Sequence, residues 1–302
     1  MPFAHLSQSP DSSRLVFEKA DRGIVASRCW RGGHTYDSVV LMVLGRNNVQ
    51  ISGQGNRAMM FAHGFGCDQH MWTAVARAFE ADFRVVLFDH VGAGQSDLGA
   101  YDAAKYASLD GYADDVVEIG RALDLSDAVF VGHSVSAMIG GLASVKAPGM
   151  FSDLIMVGPS PRYVDDDDYV GGFSHAQVEE LLEFLADNHL GWSAAMAPVI
   201  MGNPDQPELG AALEQSFCAT DPEIARQFAR ATFFSDNRAD LPKITARTLV
   251  LQCREDIIAP PCVGEYVHAQ VPGSRYTLLD ATGHCPNLSA PEQVTAAIRA
   301  FV

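Results

Sequence analysis

One serine stands where an apolar run gives way to a helix-compatible segment, in Val129-Phe130-Val131-Gly132-His133-Ser134-Val135-Ser136-Ala137-Met138. Small residues around it suit a sharp strand-to-helix turn that lifts one hydroxyl out of a sheet. The pattern Gly-x-Ser-x-Gly is met at Gly132 and Ser134 but ends in Ser136. A serine hydroxyl is a weak nucleophile. It needs a base to take its proton, and the base needs an acceptor that fixes its tautomer and stabilises its cation. In this kind of turn the acid and then the histidine follow the serine in the chain, each just past a strand. Asp256 follows the apolar run Thr248-Leu249-Val250-Leu251-Gln252, and His284 stands in a Gly-His turn after Tyr276-Thr277-Leu278-Leu279. Of ten histidines, His284 alone has that setting; His175, His189 and His268 read as surface or structural. Asp256 is preferred to Glu255 because Ile257-Ile258-Ala259-Pro260 makes an apolar turn that can hold a buried carboxylate.

Acyl transfer also needs donors for the oxygen that gains negative charge, and loss of one donor costs roughly 10²- to 10³-fold in rate. The amide after the nucleophile, Val135, is one candidate. The other is Phe65, in the loop His63-Gly64-Phe65-Gly66 after an early apolar run. The Phe65 ring would also wall a pocket. Cys285 reads as a neighbour of this chemistry and not as a second nucleophile. Three other motifs are set aside. Gly92-Ala93-Gly94 lacks the third glycine and the later acidic residue of a dinucleotide loop. Asp165-Asp166-Asp167-Asp168 has no calcium-loop spacing and reads as solvated loop. Asp89 ends a strand, but the elbow position itself is serine. The chemistry asks for no cofactor and no metal.

The elements that must hold these residues alternate. Apolar runs at 58–62, 83–88, 129–133, 154–158, 248–252 and 276–279 read as strands, with a short one at 49–51. Between them lie helical patterns, such as 109–123 with Tyr112, Val116, Ile119 and Leu123 on one face. Continuous apolar strands separated by helices imply an α/β fold, a mostly parallel sheet covered on both faces. From 161 to 240 the strand rhythm stops, and the segment is helical and aromatic-rich. An insertion that long is more than a connection. It reads as a helical lid over the carboxyl edge of the sheet, where ligands bind. The core is therefore expected at 46–160 and 241–302. Residues 1–41 show no clear period and are expected to be disordered; Met42 is a candidate start of the natural chain.

Composition narrows the function. The chain has 302 residues and a formal net charge of -16. That argues against nucleic acid and against an anionic membrane surface as partners. Six scattered cysteines without a Cys-x-x-Cys pair suggest reduced thiols in a cytoplasmic protein. No apolar run approaches the roughly 18 to 20 residues of a membrane span, and no signal peptide is evident.

Taken together, the elbow, the His-Gly-Phe-Gly loop, the acid and the histidine resemble the α/β-hydrolase superfamily. More narrowly, the chain resembles the branch that includes the bacterial stress regulator RsbQ and the plant karrikin- and strigolactone-receptor hydrolases. Phe65-Gly66-Cys67-Asp68-Gln69, Val131 through Met138, Gly158-Pro159-Ser160-Pro161-Arg162-Tyr163, Gly171-Gly172-Phe173 and Leu251 through Pro260 carry that likeness. Ser136 matches the plant receptors; a glycine would be more like RsbQ. The resemblance implies a four-helix lid and a deep apolar pocket above Ser134. It nominates Phe65, Tyr163, Phe173, Trp192, Met196 and Phe233 as pocket residues. It also implies two uses. One is hydrolysis of a small apolar ester or lactone. The alternative is a signalling protein or ligand receptor, with a phosphatase or other signalling protein as partner.

Overall fold

The computed structural model describes residues 38–302, together with two short segments at 17–20 and 23–26. Those segments pair as antiparallel strands β1 (Phe17–Ala20) and β2 (Gly23–Ala26). Most of 1–41, expected to be disordered, lies outside the described residues. Its last residues open helix α1 (Ser38–Arg46), which runs through Met42.

The main sheet has seven strands: β3 (Gln50–Ser52), β4 (Ala58–Ala62), β5 (Arg84–Phe88), β6 (Ala128–His133), β7 (Phe151–Val157), β8 (Arg247–Glu255) and β9 (Arg275–Thr282). Their spatial order is β3-β5-β4-β6-β7-β8-β9. In this sheet only β3 runs antiparallel to its neighbour. Every residue of β4 and β6 is buried, as expected for parallel strands covered on both faces. Alternate residues of β6 serve opposite faces. Val129 and Val131 pack with Trp72, Phe79 and Ile298. Ala128 and Phe130 pack with Val116, Ile139 and Met156.

Helices α2 (Thr73–Arg77), α3 (Leu109–Ala122) and α4 (Val135–Lys146) connect the first strands. Between β7 and β8 come α5 (His175–Asp187), α6 (His189–Met201), α7 (Pro207–Ala219) and α8 (Pro222–Phe233). Three of their starts are capped locally: Ser174 and Gln177 form a reciprocal capping box, the Asn188 side chain accepts the Gly191 amide of α6, and the Asp221 carboxylate accepts two amides of α8. The chain closes with α9 (Pro261–Gln270), α10 (Pro286–Ser289) and α11 (Pro291–Arg299).

Candidate active site

The turn at Ser134 is forced by close packing. Ser134 has φ 55° and ψ -124°, a conformation that L residues avoid. Strand β6 and helix α4 approach so closely that a Cβ on Gly132 would strike the Ser136 carbonyl oxygen. Only glycine fits there, and the strain places the Ser134 side chain at the carboxyl end of the sheet.

His284 Nε2 lies 2.7 Å from Ser134 Oγ, and His284 Nδ1 lies 2.7 Å from Asp256 Oδ2. With Nδ1–H donated to the carboxylate, Nε2 accepts from the serine hydroxyl. The other Asp256 oxygen accepts the amides of Ile258 at 2.9 Å and Ala259 at 3.0 Å. The turn after the acid thus supplies both apolar cover and donors. Burial alone would raise the Asp256 pKa. The adjoining His284 imidazole and the two amides outweigh it and hold the carboxyl below its ordinary range. Glu255, by contrast, is exposed.

His133 is fixed by donating Nε2–H to the His284 carbonyl at 2.7 Å. Burial and the nearby His284 lower its pKa to about 3, so it stays neutral.

The Phe65 loop abuts the serine: a Cβ on Gly64 would stand 3.5 Å from the Ser134 Cβ. Among the described residues the Phe65 amide makes no hydrogen bond. The Val135 amide opens α4 and has no carbonyl one turn earlier to bond. Both are therefore available as donors.

The hydroxyl of Ser136 does more than fill a small-residue position. It donates to the His63 carbonyl, immediately before Gly64, and accepts from His90 Nε2 at 2.8 Å. His63 in turn accepts the His90 amide at 3.0 Å and donates to the Gly64 carbonyl. Burial lowers the pKa of both imidazoles. This neutral network, invisible in one-dimensional spacing, ties the loop to the elbow.

Phe65, Tyr163, Trp192 and Phe233 line a cavity beside Ser134 and His284. The Phe65 ring stands 6.0 Å from Trp192 and 6.3 Å from Phe233. Tyr163 places its hydroxyl 3.4 Å from Ser134 Oγ, and burial pushes its pKa up to about 12. Phe173 and Met196 do not reach the cavity. Phe173 backs the wall residue Phe233 at 6.3 Å, and half-buried Met196 packs against the apolar cluster that the insertion shares with one face of the sheet. Leu213, Phe217 and Thr232 line it without having been nominated; Phe217 had only its place among the insertion's aromatics to mark it. Cys285 lines it too, and burial raises its thiol pKa well above the usual value. The cavity holds only about 40 Å³, against about 300–1,000 Å³ for ligand pockets in general. The cavity is thus smaller than the deep pocket the resemblance implies.

The motifs set aside have structural uses. The Asp89 carboxylate accepts the amides of Gln69 and Gln95 and the Asn48 side chain. Gly94 wraps so tightly that a Cβ would strike that carboxylate. Asp165 accepts the amides of Gly171 and Gly172, and Asp166 pairs with Arg238 at 2.7 Å.

Residues 59–297 match the model of the alpha/beta hydrolase family, and the chain belongs to that family. It is 37% identical over 250 residues to a probable esterase of Oryza sativa subsp. japonica, covering 82% of this chain and 92% of that protein. It is also 37% identical to a strigolactone esterase of Arabidopsis thaliana, covering 83% and 94%. Among solved structures, a hydrolase from Oleispira antarctica superposes with a TM-score of 0.84 at 43% identity, covering 86% of this chain and 95% of that one. These relatives agree with the resemblance read from the motifs, and they support hydrolase activity.

Proposed function

We propose that the protein is a serine hydrolase that cleaves a small apolar ester or lactone through Ser134, His284 and Asp256. The observation that carries this reading is the unbroken chain from Ser134 Oγ through the His284 ring to Asp256, at 2.7 Å per step. His284 Nε2 takes the hydroxyl proton as Ser134 Oγ bonds to the ester carbonyl carbon. The carbonyl oxygen, now negative, receives the Phe65 and Val135 amides. The intermediate collapses, the ester C–O bond breaks, and the alcohol leaves with the proton from His284. Water, giving its proton to His284, then releases the acid and restores Ser134. Asp256 keeps its charge throughout and stabilises the imidazolium. The helices 161–240 act as the lid. The scattered free thiols fit a cytoplasmic setting.

The test is a burst on aryl acetates together with labelling by a serine-directed phosphonate. A burst, and a label that Ser134→Ala abolishes, support the reading; neither burst nor label overturns it.

A second reading has its own support. A cavity of about 40 Å³ under the insertion admits no ligand of ordinary size unless its walls move. Such movement is what a protein partner would sense, and one relative is the karrikin insensitive 2 receptor CA of Petunia hybrida, 36% identical. On this reading binding, not turnover, is the function. A cellular phenotype that survives Ser134→Ala but not substitution of Leu190 or Val199, both exposed on α6, would favour it.

A further inference from the structure

The Phe65 N–H belongs to a peptide unit whose other end is held. A peptide is planar, so its N–H and C=O point in opposite directions and turn together. The carbonyl that shares this peptide is that of Gly64, and it accepts from His63 Nδ1 at 2.8 Å. A neighbour decides which nitrogen of His63 carries the proton. His63 Nε2 accepts the His90 amide at 3.0 Å, so the proton is on Nδ1. The carbonyl one residue earlier, that of His63, accepts from the Ser136 hydroxyl. Ser136 Oγ accepts in turn from His90 Nε2 at 2.8 Å, so the two imidazoles are opposite tautomers. Backbone and side chain of both histidines take part, and the bonds close a ring. His63, His90 and Ser136 are each at most 1% exposed, which keeps bulk water from competing for these bonds. Ser136 belongs to α4, the helix whose first amide, that of Val135, is the other candidate donor. Its hydroxyl therefore ties the elements that carry the two donors to each other.

We propose that Ser136, His90 and His63 are positioning residues for the oxyanion, aiming the Phe65 N–H at the point the Val135 N–H also faces. None of the three lines the cavity beside Ser134; they act through the Gly64–Phe65 peptide. A second effect is electronic. Hydrogen bonds in a chain polarise one another, so a carbonyl that accepts from His63 makes its own peptide N–H a stronger donor. This inference rests on the hydrolase reading and gives the serine at the last position of the elbow pattern a task in the reaction. Breaking the ring costs only part of the roughly 10²- to 10³-fold that a whole donor supplies, because the Val135 amide stays and the Phe65 amide is turned, not removed.

The experiment follows the acyl-enzyme formed from p-nitrophenyl acetate isotopically labelled at its carbonyl. Hydrogen bonds to the acyl carbonyl lower its stretching frequency, so rapid-mixing difference infrared spectroscopy reads the oxyanion donors beside steady-state kcat and KM. Ser136→Ala should lower kcat about tenfold and move the acyl band to higher frequency. Acylation and deacylation both pass through the oxyanion, so both slow together and KM changes little. His90→Phe keeps a ring among Phe88, Tyr112 and Phe228 and removes the donor to Ser136. It should shift the band the same way with a fall of about threefold in kcat, and it carries the test if Ser136→Ala does not fold. Ser144→Ala is the control. It removes a buried hydroxyl near the far end of α4, bonded to the Gly141 carbonyl at 2.7 Å, and should leave kcat and the band in place. Wild-type turnover with a band and kcat that neither Ser136→Ala nor His90→Phe alters overturns this inference alone. So does a fall that Ser144→Ala matches, or a change confined to KM with the band unmoved, since a merely structural role would give either. A wild-type protein with neither turnover nor acyl band overturns the hydrolase reading and this inference with it.

Discussion

Helix α4, which begins at the nucleophile, and helix α7, which contributes Leu213 and Phe217 to the cavity, are nearly equal in length but held very differently. In α4 every residue from Val135 to Ser144 is buried, whereas in α7 only Gly210, Leu213 and Phe217 are. Helix α4 is gripped on all sides, as a helix apolar all round must be. Helix α7 lies on the molecule by one narrow stripe. Its tie to the loop beside Ser134 is equally thin: Ser216 donates to the Gly66 carbonyl at 2.9 Å, and the Phe217 ring occupies the space a Gly66 side chain would need. The reacting groups therefore sit on a close-packed platform, and the walls of the cavity sit on elements with less holding them. Precision of chemistry and adaptability of shape are assigned to different parts of the chain.

The sharpest break in this comparison is at the platform. His284→Gln should lower kcat on an aryl acetate by about 10⁴-fold or more, while steady-state kinetics show KM little changed. Gly132→Ala comes next. Its Cβ would meet α4 backbone that cannot withdraw, so urea unfolding should show a loss of about 3 kcal/mol or more, the upper end for overpacking. On the insertion, Leu213→Ala should cost about 2–3 kcal/mol at this 2% exposed site. It should also raise kcat/KM for longer acyl chains relative to acetate. An equal truncation in the sheet, Ile155→Ala, should cost stability without shifting chain-length preference. If both variants shift it, the division between platform and wall fails.

The Asp256 carboxyl supplies a pH test of the platform. Its folded pKa lies below the unfolded value, so its contribution is present above the ordinary carboxyl range, about pH 4, and fades as pH falls through the folded value. The stability difference between wild type and Asp256→Asn should be constant above about pH 5 and shrink in more acidic solution, as read from urea midpoints. The smallest effect belongs to the outer face of the insertion. Leu190 is 64% exposed, and Leu190→Ser should change stability by no more than about 0.5 kcal/mol in the same urea titration.

Much of the platform was legible in one dimension. Apolar runs bounded by polar turns marked the sheet, because a parallel strand buried on both faces leaves no polar position. The elbow was legible because close strand–helix approach demands Gly132, and Asp256 was legible because an apolar turn follows it. The insertion announced itself as helical, but not which of its aromatics face inward. Phe173 and Met196 were expected at the cavity and do not line it, whereas Leu213 and Thr232 do. Helical period says which residues share a face; it does not say how that face is rotated against a distant loop.

From the sequence by itself came the order of serine, acid and histidine, the strands that carry them, and the class of chemistry they can perform. These depend on local rules: steric demand at a turn, the burial of a strand, the chain order of an elbow fold. Only the tertiary structure decided that the Ser136 hydroxyl braces the Phe65 loop through His63 and His90. It alone decided that the cavity is small, and which residues of the insertion line it. Those features arise where residues from distant parts of the chain come within hydrogen-bonding or packing distance, and no local spacing encodes such meetings.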